Sequence, residues 1–234
     1  MVPAVGRIAP ATMPSVVDLP APFGPISPVI CPAGAIRPTA GTIDFAGRDI
    51  TALPSYRRAR LGIIRTFQMR GEFDRLTVLE NLLVAAPGQR GEKISNIYSV
   101  RRTWRQQQSE LVGQARELLD RFGIADHENA YAAELSGGQR RLMELARALM
   151  AKPRLLLLDE PMAGVSPAMR DRLGEHLREV ADSGVGIVLV EHQLPFVEDV
   201  SGHVLVLAQG RVIGEGKMSS LREQAAVLDA YLTG

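Results

Sequence analysis

The fold is decided by the stretch "LSGGQRRLMELARALMAKPRLLLLDE", residues 135–160. Its first part predicts a helix, because apolar residues recur on one helical face from Leu142 to Leu149 before Pro153 ends the pattern. Its last part is a continuous apolar run, which is typical of a strand covered by helices on both faces. Further along, the same alternation of helix and strand predicts an α/β domain with a largely parallel sheet.

The start of the predicted helix is suited to phosphate. Ser136 is placed to cap the helix, and Gln139 completes a capping box. Gly137 and Gly138 leave the backbone open at the first turn, where the amides are unpaired and the helix dipole is positive. Such a helix start is an anion site. A plain glycine-containing cap is the alternative interpretation.

Polar residues also follow the predicted strands, at the edge where open α/β sheets bind ligands. Asp159 and Glu160 end "LLLLDE", His192 ends "VGIVLVEH", and Gln68 ends "LGIIRTFQ". We expect Asp159 to hold Mg²⁺ through water and Glu160 to polarise an attacking water. His192 is expected to contact a γ-phosphate or orient water, and Gln68 to reach the metal or the water. An acidic turn, a structural histidine and a polar strand end are the alternatives.

Shorter patterns place the remaining elements. "GTIDFAGRDIT" predicts a hairpin that turns through Ala46 and Gly47, and "HVLVLAQGRVIGEG" predicts a strand pair that turns at Gly210. "LTVLENLLVAA" predicts a helix that opens with a capping box of Thr77 and Glu80. "SELVGQARELLDRFGI" predicts another helix, with Gly123 as its C-cap.

Composition narrows the class of protein. The chain has 234 residues, 46% of them hydrophobic, and a formal net charge of +1, which gives no reason to expect binding to nucleic acid or a membrane surface. A single cysteine, Cys31, excludes an internal disulfide and favours a reducing compartment. No apolar run approaches the length of a membrane span, so we expect a cytosolic chain.

The N-terminal segment differs from the rest. Residues 1–38 hold nine of the fifteen prolines and three charged residues. Proline removes backbone donors and blocks both helix and central strand. The segment is therefore expected to be irregular.

The order and spacing of the motifs carry a resemblance. The chain resembles the ATP-binding cassette (ABC) ATPases. In that family, "LSGGQ" is similar to the signature motif, "LLLLDE" to the Walker B strand, and "MAGVSP" to the loop that follows it. The pair "EH" is similar to the switch-histidine motif, and Gln68 lies where the family has its Q-loop. The resemblance covers residues 37–234. "RPTAGTIDFAGRDITALPSYRRARLGIIRTFQ", "LTVLENLLVAA" and "LDAYLTG" resemble the ATPase subunits of branched-chain amino acid importers more narrowly.

The family resemblance implies a P-loop NTPase-like fold with a small antiparallel β part and an inserted helical subdomain. Residues 37–68 and 136–234 would form the nucleotide-binding core, and residues 69–135 the helical subdomain, with the signature at its end. Residues 1–36 are then an atypical segment in the place of the P-loop region.

The resemblance also implies cofactors and partners. ATP and Mg²⁺ would lie between two ABC ATPase subunits, in a homo- or heterodimer, with Leu135–Gln139 of one chain facing the γ-phosphate bound by the other. The helical subdomain would dock a membrane permease, which places the chain on the cytoplasmic face of the cell membrane. ATP hydrolysis would rest on Glu160 and His192, and Gln68 and Asp159 would bind the metal.

One family motif is missing. No segment matches G-x-x-x-x-G-K-[ST], the P-loop, and the three lysines, Lys93, Lys152 and Lys217, all lie outside the expected place. Removing one charge-assisted hydrogen bond to a phosphate costs about 1.5–3 kcal/mol of binding free energy. We therefore expect that the chain does not bind ATP normally in a site of its own.

Four interpretations follow from this departure. The chain is an ABC importer ATPase whose N-terminus is altered by truncation, frame change or start-site error, or it is a degenerate partner that donates its signature to another chain's ATP site. An ABC ATPase of translation or DNA repair is less favoured, because the chain has neither tandem cassettes nor long coiled coils. A remnant without function is the fourth.

Overall fold

The computed structural model describes residues 4–8, 41–66, 73–89, 101–208 and 211–228. These residues form two compact units. The first comprises residues 1–68, 154–163 and 167–234, and the second comprises residues 69–153 and 164–166. Residues 136–153 therefore belong to the second compact unit, whereas the family resemblance places them in the nucleotide-binding core. The functional division of the chain stays a prediction.

The first unit contains a six-stranded sheet. Its strands are β1 Ala4–Ile8, β4 Ile63–Arg65, β5 Leu155–Asp159, β6 Gly186–Glu191, β7 His203–Ala208 and β8 Arg211–Gly216. Their order in the sheet is β4-β5-β6-β1-β7-β8, in which β4, β5 and β6 are parallel and the other pairings are antiparallel. The helices are α1 Ser55–Arg60, α5 Pro167–Asp182, α6 Leu194–Val200 and α7 Met218–Leu221. The predicted α/β architecture is confirmed.

Strands β5 and β6 form much of the buried core of the first unit. Every residue of β5 from Leu155 to Leu158 is buried, as the unbroken apolar run predicted. Leu156 pairs with Ile187 of β6, and both side chains are about 1% exposed or less. The buried strands end together at one edge of the sheet, where Asp159 pairs with Val190.

Strand β1 corrects the expectation that residues 1–36 are irregular. Ala4–Ile8 forms a strand that pairs antiparallel with β6 on one side and β7 on the other. The prediction is wrong here because Pro3 and Pro10 flank the segment without entering it, so each residue between them keeps the backbone N–H that a central strand needs. The rest of the proline-rich segment lies outside the described residues.

Both predicted strand pairs are present. Strands β2 Asp44–Phe45 and β3 Arg48–Asp49 form a separate two-stranded sheet. Ala46 and Gly47 between them have φ angles of 54° and 77°, as a type I′ turn requires. Asp44 Oδ1 accepts a hydrogen bond of 2.8 Å from the Gly47 amide, which closes the turn. Strands β7 and β8 also pair antiparallel, while the turn predicted at Gly210 lies outside the described residues.

The second unit is helical. It contains α2 Val78–Ala85, α3 Arg101–Arg121 and α4 Gly137–Met150, with short 3₁₀ turns at Ala125–His127 and Ala132–Glu134. The predicted capping box at the start of α2 is present, because Thr77 Oγ1 accepts from the Glu80 amide and Glu80 Oε2 accepts from the Thr77 amide. Gly123 follows α3 in the left-handed region, at φ 64°, as a C-cap glycine does. Within the described residues, no helix is long and apolar enough to cross a membrane.

Candidate functional site

Two groups of predicted residues lie on the two units, and each group is described by itself. Asp159, Glu160 and His192 lie at the carboxyl edge of the parallel strands in the first unit. Leu135 to Gln139 lie at the start of α4 in the second unit. Gln68, which was predicted to contact metal or water, lies outside the described residues.

The chain turns sharply between Asp159 and Glu160. Asp159 is the last residue of β5, and the amide of Glu160 donates a hydrogen bond of 2.9 Å to the carbonyl of Val190 in β6. Glu160 has φ 45°, a left-handed conformation that is uncommon outside glycine and is a source of local strain. The Glu160 carbonyl then accepts from the Ala163 amide at 3.1 Å. The structure thus places both acids at the predicted edge, while their catalytic roles stay predictions.

Asp159 already has a cationic partner. Arg65, the last residue of the neighbouring strand β4, donates from Nη2 to Asp159 Oδ2 at 3.1 Å. Parallel pairing of β4 with β5 brings these two strand ends together. Mg²⁺ needs oxygen ligands in octahedral geometry, and a guanidinium on one oxygen competes with it. Among the described residues there is also no group of three or more histidine, cysteine, aspartate or glutamate side chains that could hold a metal.

Replacing Arg65 with glutamine is expected to make Asp159 a better ligand for a divalent cation. The wild-type chain should show little change in Tm with Mn²⁺, because the Arg65 guanidinium is paired with one oxygen of Asp159 and repels a second cation there. The variant should show a rise in Tm, at about 2–4 °C for each kcal/mol of binding free energy. Differential scanning fluorimetry across a Mn²⁺ series measures this. The double variant R65Q/D159N is the control, and an equal Mn²⁺ response in it would show that the cation binds elsewhere.

Glu191 is a residue of this edge that sequence reasoning missed. It ends β6, and its side chain is fully buried. Its Oε1 accepts from the Met162 amide at 2.8 Å, and its Oε2 accepts from the His192 amide at 3.1 Å. The carboxyl therefore fixes the loop after β5 and the loop after β6 at once. An acid inside an otherwise apolar strand, "IVLVE", was the available signal.

His192 directly follows β6, as predicted. Its Nδ1 lies 3.8 Å from Glu191 Oε2, and that nitrogen is buried without a hydrogen-bond partner among the described residues. Neighbouring strands β5 and β6 place His192 at the same sheet edge as Glu160. The role of His192 toward a γ-phosphate stays a prediction.

The start of α4 has the predicted capping box. Ser136 Oγ accepts from the Gln139 amide at 3.3 Å, and Gln139 Oε1 accepts from the Ser136 amide at 3.0 Å. Gly137 and Gly138 form the first turn of this fourteen-residue helix. Leu135 is buried just before it. The amides of the first turn and the positive end of the helix dipole make this helix start suitable for an anion.

Arg140 holds the segment that leads into the signature. Its guanidinium forms an ion pair with Asp74 at 2.9 Å and donates to the carbonyl of Ala132 at 3.1 Å. Because the side chain is tied to a protein carbonyl and a carboxylate, it orients the loop before Ser136. An arginine directly after "LSGGQ" is visible in the sequence, but its partner at position 74 is not, because no local pattern relates the two positions.

Comparison with known proteins identifies a family over the part of the chain that contains these motifs. The model of the ABC transporter family matches residues 31–163. A probable branched-chain amino acid transport ATP-binding protein of Archaeoglobus fulgidus is 39% identical over 200 residues, which cover 86% of this chain and 77% of that protein. The chain belongs to the ABC transporter family. As a member, it is an ATP-binding subunit, and the family identity implies a site for a nucleotide.

Other relatives agree with this family assignment. The high-affinity branched-chain amino acid transport ATP-binding protein of Salmonella typhimurium is 35% identical over 203 residues, covering 86% of this chain and 80% of that protein. A nucleotide-free ATP-binding cassette from an ABC transporter matches the fold with a TM-score of 0.75 and 30% identity, covering 89% of this chain and 83% of that one. A cassette in its ADP conformation matches with a TM-score of 0.74 and 29% identity, covering 91% and 86%. This ABC chain nevertheless lacks the P-loop motif in its sequence.

Proposed function

We propose that this chain is the ATP-binding subunit of an importer for branched-chain amino acids. It pairs with a second cassette chain, docks a membrane permease on the cytoplasmic face, and donates Leu135–Gln139 to an ATP held by the partner's P-loop. The similarity to the two transport ATP-binding proteins supports the substrate class. The observation that supports the donating role is the capping box of α4, in which both hydrogen bonds between Ser136 and Gln139 are formed.

Charge and geometry favour the donating role, in which the chain supplies the signature half of a shared site, over an ATP site of the chain's own. At the start of α4, Ser136 Oγ accepts from Gln139, so its own hydroxyl proton is left to donate to a phosphate oxygen. At the sheet edge, Arg65 pairs with Asp159, and the sequence has no P-loop lysine. The chain therefore keeps the donors that face a partner's nucleotide, whereas its sequence has no P-loop motif to cradle a nucleotide of its own.

A second candidate is hydrolysis at the chain's own sheet edge. The placement of Asp159, Glu160 and His192 together at the ends of β5 and β6 favours it. In that case Glu160 would polarise water and His192 would stabilise the γ-phosphate, with Mg²⁺ on Asp159 and Gln68 supplying charge neutralisation when bound. Titration of the isolated chain with a fluorescent ATP analogue tests this second candidate, because micromolar affinity would mean that the chain has an ATP site of its own. The donating role is tested separately, by stimulation of a partner subunit.

Replacing Gly137 with aspartate is expected to weaken the donating role without unfolding the chain, because the nearest atom to an added Cβ, the carbonyl oxygen of Gly164, lies 3.4 Å away. A carboxylate in the first turn of a helix is favourable to the helix dipole but repels a phosphate at the same place. We expect this repulsion to cost about as much as the loss of one charge-assisted hydrogen bond to the phosphate. Stimulation of a P-loop-bearing partner subunit should therefore fall about 10–100-fold. The ATPase rate of the purified partner, measured with wild-type chain or variant added, tests this.

Gly113 provides the matched control. It lies exposed within α3, and an added Cβ would meet nothing within 4 Å among the described residues. The variant G113D carries the same new charge on the same unit and should stimulate the partner as the wild type does. If the partner's ATPase rate is the same with and without the wild-type chain, the proposed donating role is wrong.

A further inference from the structure

We propose that His127 is a positioning residue for the signature segment. As a neutral imidazole protonated on Nδ1, it accepts a hydrogen bond through Nε2 from the side-chain amide of Gln139. This bond fixes the rotamer of Gln139 and, through it, the capped start of α4. The hydrogen bond between His127 and Gln139 does not depend on the proposed function, whereas its effect on binding of a nucleotide by the signature segment rests on that function.

The direction of each hydrogen bond follows from the one before it. The backbone N–H of Ser136 can only donate, so the atom of Gln139 that lies 3.0 Å from it must be the carbonyl oxygen Oε1. The other terminal atom of Gln139 is then the amide nitrogen Nε2, which can only donate. It lies 2.7 Å from His127 Nε2, and that nitrogen must therefore accept.

An accepting Nε2 determines the state of the imidazole. A protonated histidine carries hydrogens on both nitrogens, and two donors facing each other at 2.7 Å would repel. The tautomer with its proton on Nε2 fails for the same reason. The structure thus assigns the neutral form with the proton on Nδ1.

The segment that carries His127 is itself held in place. The His127 amide donates to the Ile124 carbonyl at 3.1 Å, and the next carbonyl, of Glu128, accepts from the Leu79 amide of α2 at 3.0 Å. The Glu128 carboxylate accepts two hydrogen bonds from Arg116 of α3, at 2.8 and 3.2 Å. These bonds lower the pKa of Glu128, so the carboxylate stays charged and the anchor is maintained.

The bonds form a continuous series from α2 and α3 to the signature. His127 holds the side chain of Gln139, Gln139 holds the amide of Ser136, and Ser136 holds the amide of Gln139. Without the imidazole acceptor, Gln139 regains rotamer freedom that its Ser136 bond alone must oppose. We therefore expect the start of α4 to open more often when His127 is replaced.

The test uses the full chain and two replacements of His127. Phenylalanine keeps a ring of similar shape but has no acceptor, whereas glutamine offers a carbonyl oxygen that can take the same hydrogen bond. With His127→Phe, hydrogen exchange should become about 2–10-fold faster at the amides that the capped start holds, those of Ser136, Gln139 and Arg140. With His127→Gln, exchange should stay close to the wild-type rate. Exchange within α3 reports whether the unit as a whole remains folded.

Two further measurements complete the test. Long-range ¹H–¹⁵N spectra of the wild-type chain in mildly alkaline buffer should show His127 with its proton on Nδ1. His203, which lies on the first unit 3.0 Å from Glu215, provides the matched control, and His203→Phe should leave exchange at the start of α4 unchanged. A proton on Nε2, or wild-type exchange rates in His127→Phe, would overturn the inference.

These readouts need neither nucleotide nor partner. If the wild-type chain fails to stimulate a partner cassette while the tautomer and the exchange rates are as stated, the proposed function is wrong and the positioning role stands. If stimulation occurs but His127→Phe exchanges like the wild type, the positioning role is wrong and the proposed function stands.

Discussion

Replacing Leu156 with alanine is expected to lower the free energy of unfolding by about 2–5 kcal/mol. Leu156 is fully buried in β5, between Ile64 of β4 and Ile187 of β6. Truncation removes apolar contacts on a strand buried on both faces and leaves a cavity that the neighbouring strands cannot fill. Urea unfolding followed by circular dichroism should show a lower midpoint with an unchanged slope.

Leu228→Ala is the matched control, because it is the same substitution at a side chain that is 47% exposed. It should change the free energy of unfolding by less than about 0.5 kcal/mol. Equal losses of stability at the two positions would mean that the Leu156 side chain is not packed in the core.

Replacing Glu191 with leucine is expected to have the second large effect. Leucine fills a similar volume, so the loss of stability comes from hydrogen bonds rather than from a cavity. The buried amide of Met162 loses its acceptor, at a cost of about 1–3 kcal/mol, and the amide of His192 loses its acceptor as well. The same urea measurement gives the change in the free energy of unfolding.

Glu191→Gln distinguishes the hydrogen bonds from the charge. Glutamine keeps one carbonyl oxygen, which can accept from Met162, but presents an amide group toward the second N–H. Its loss of stability should therefore be smaller than that of the leucine variant. A leucine variant as stable as the wild type would show that the carboxyl does not hold the two loops.

The elements found from sequence are those with local causes. The box of Thr77 and Glu80 and the box of Ser136 and Gln139 each join residues three apart, so the spacing alone predicts the hydrogen bonds. The turn at Ala46 and Gly47 is predicted in the same way, because two residues close a hairpin. The buried strand β5 is predicted because its apolar run is too dense for any other environment.

The contacts missed from sequence join residues that are far apart along the chain. Arg65 and Asp159 are 94 positions apart, and Glu191 and Met162 are 29 positions apart. The bond from Gln139 to His127 spans 12 positions and depends on how a short 3₁₀ turn meets the start of a helix. No local pattern relates such positions, because their approach is set by the packing of whole elements.

By itself, the sequence determined the family and the elements with local causes, such as the buried strand β5, the capping boxes of α2 and α4, and the turn at Ala46 and Gly47. Only the tertiary structure decided that Arg65 neutralises Asp159, that Glu191 holds two loops, and that Ala4–Ile8 fills a place in the sheet. The physical reason is the range of the forces. Caps and turns are stabilised within one turn of chain, whereas an ion pair or a strand pairing exists only after distant segments have been brought together by burial of the core.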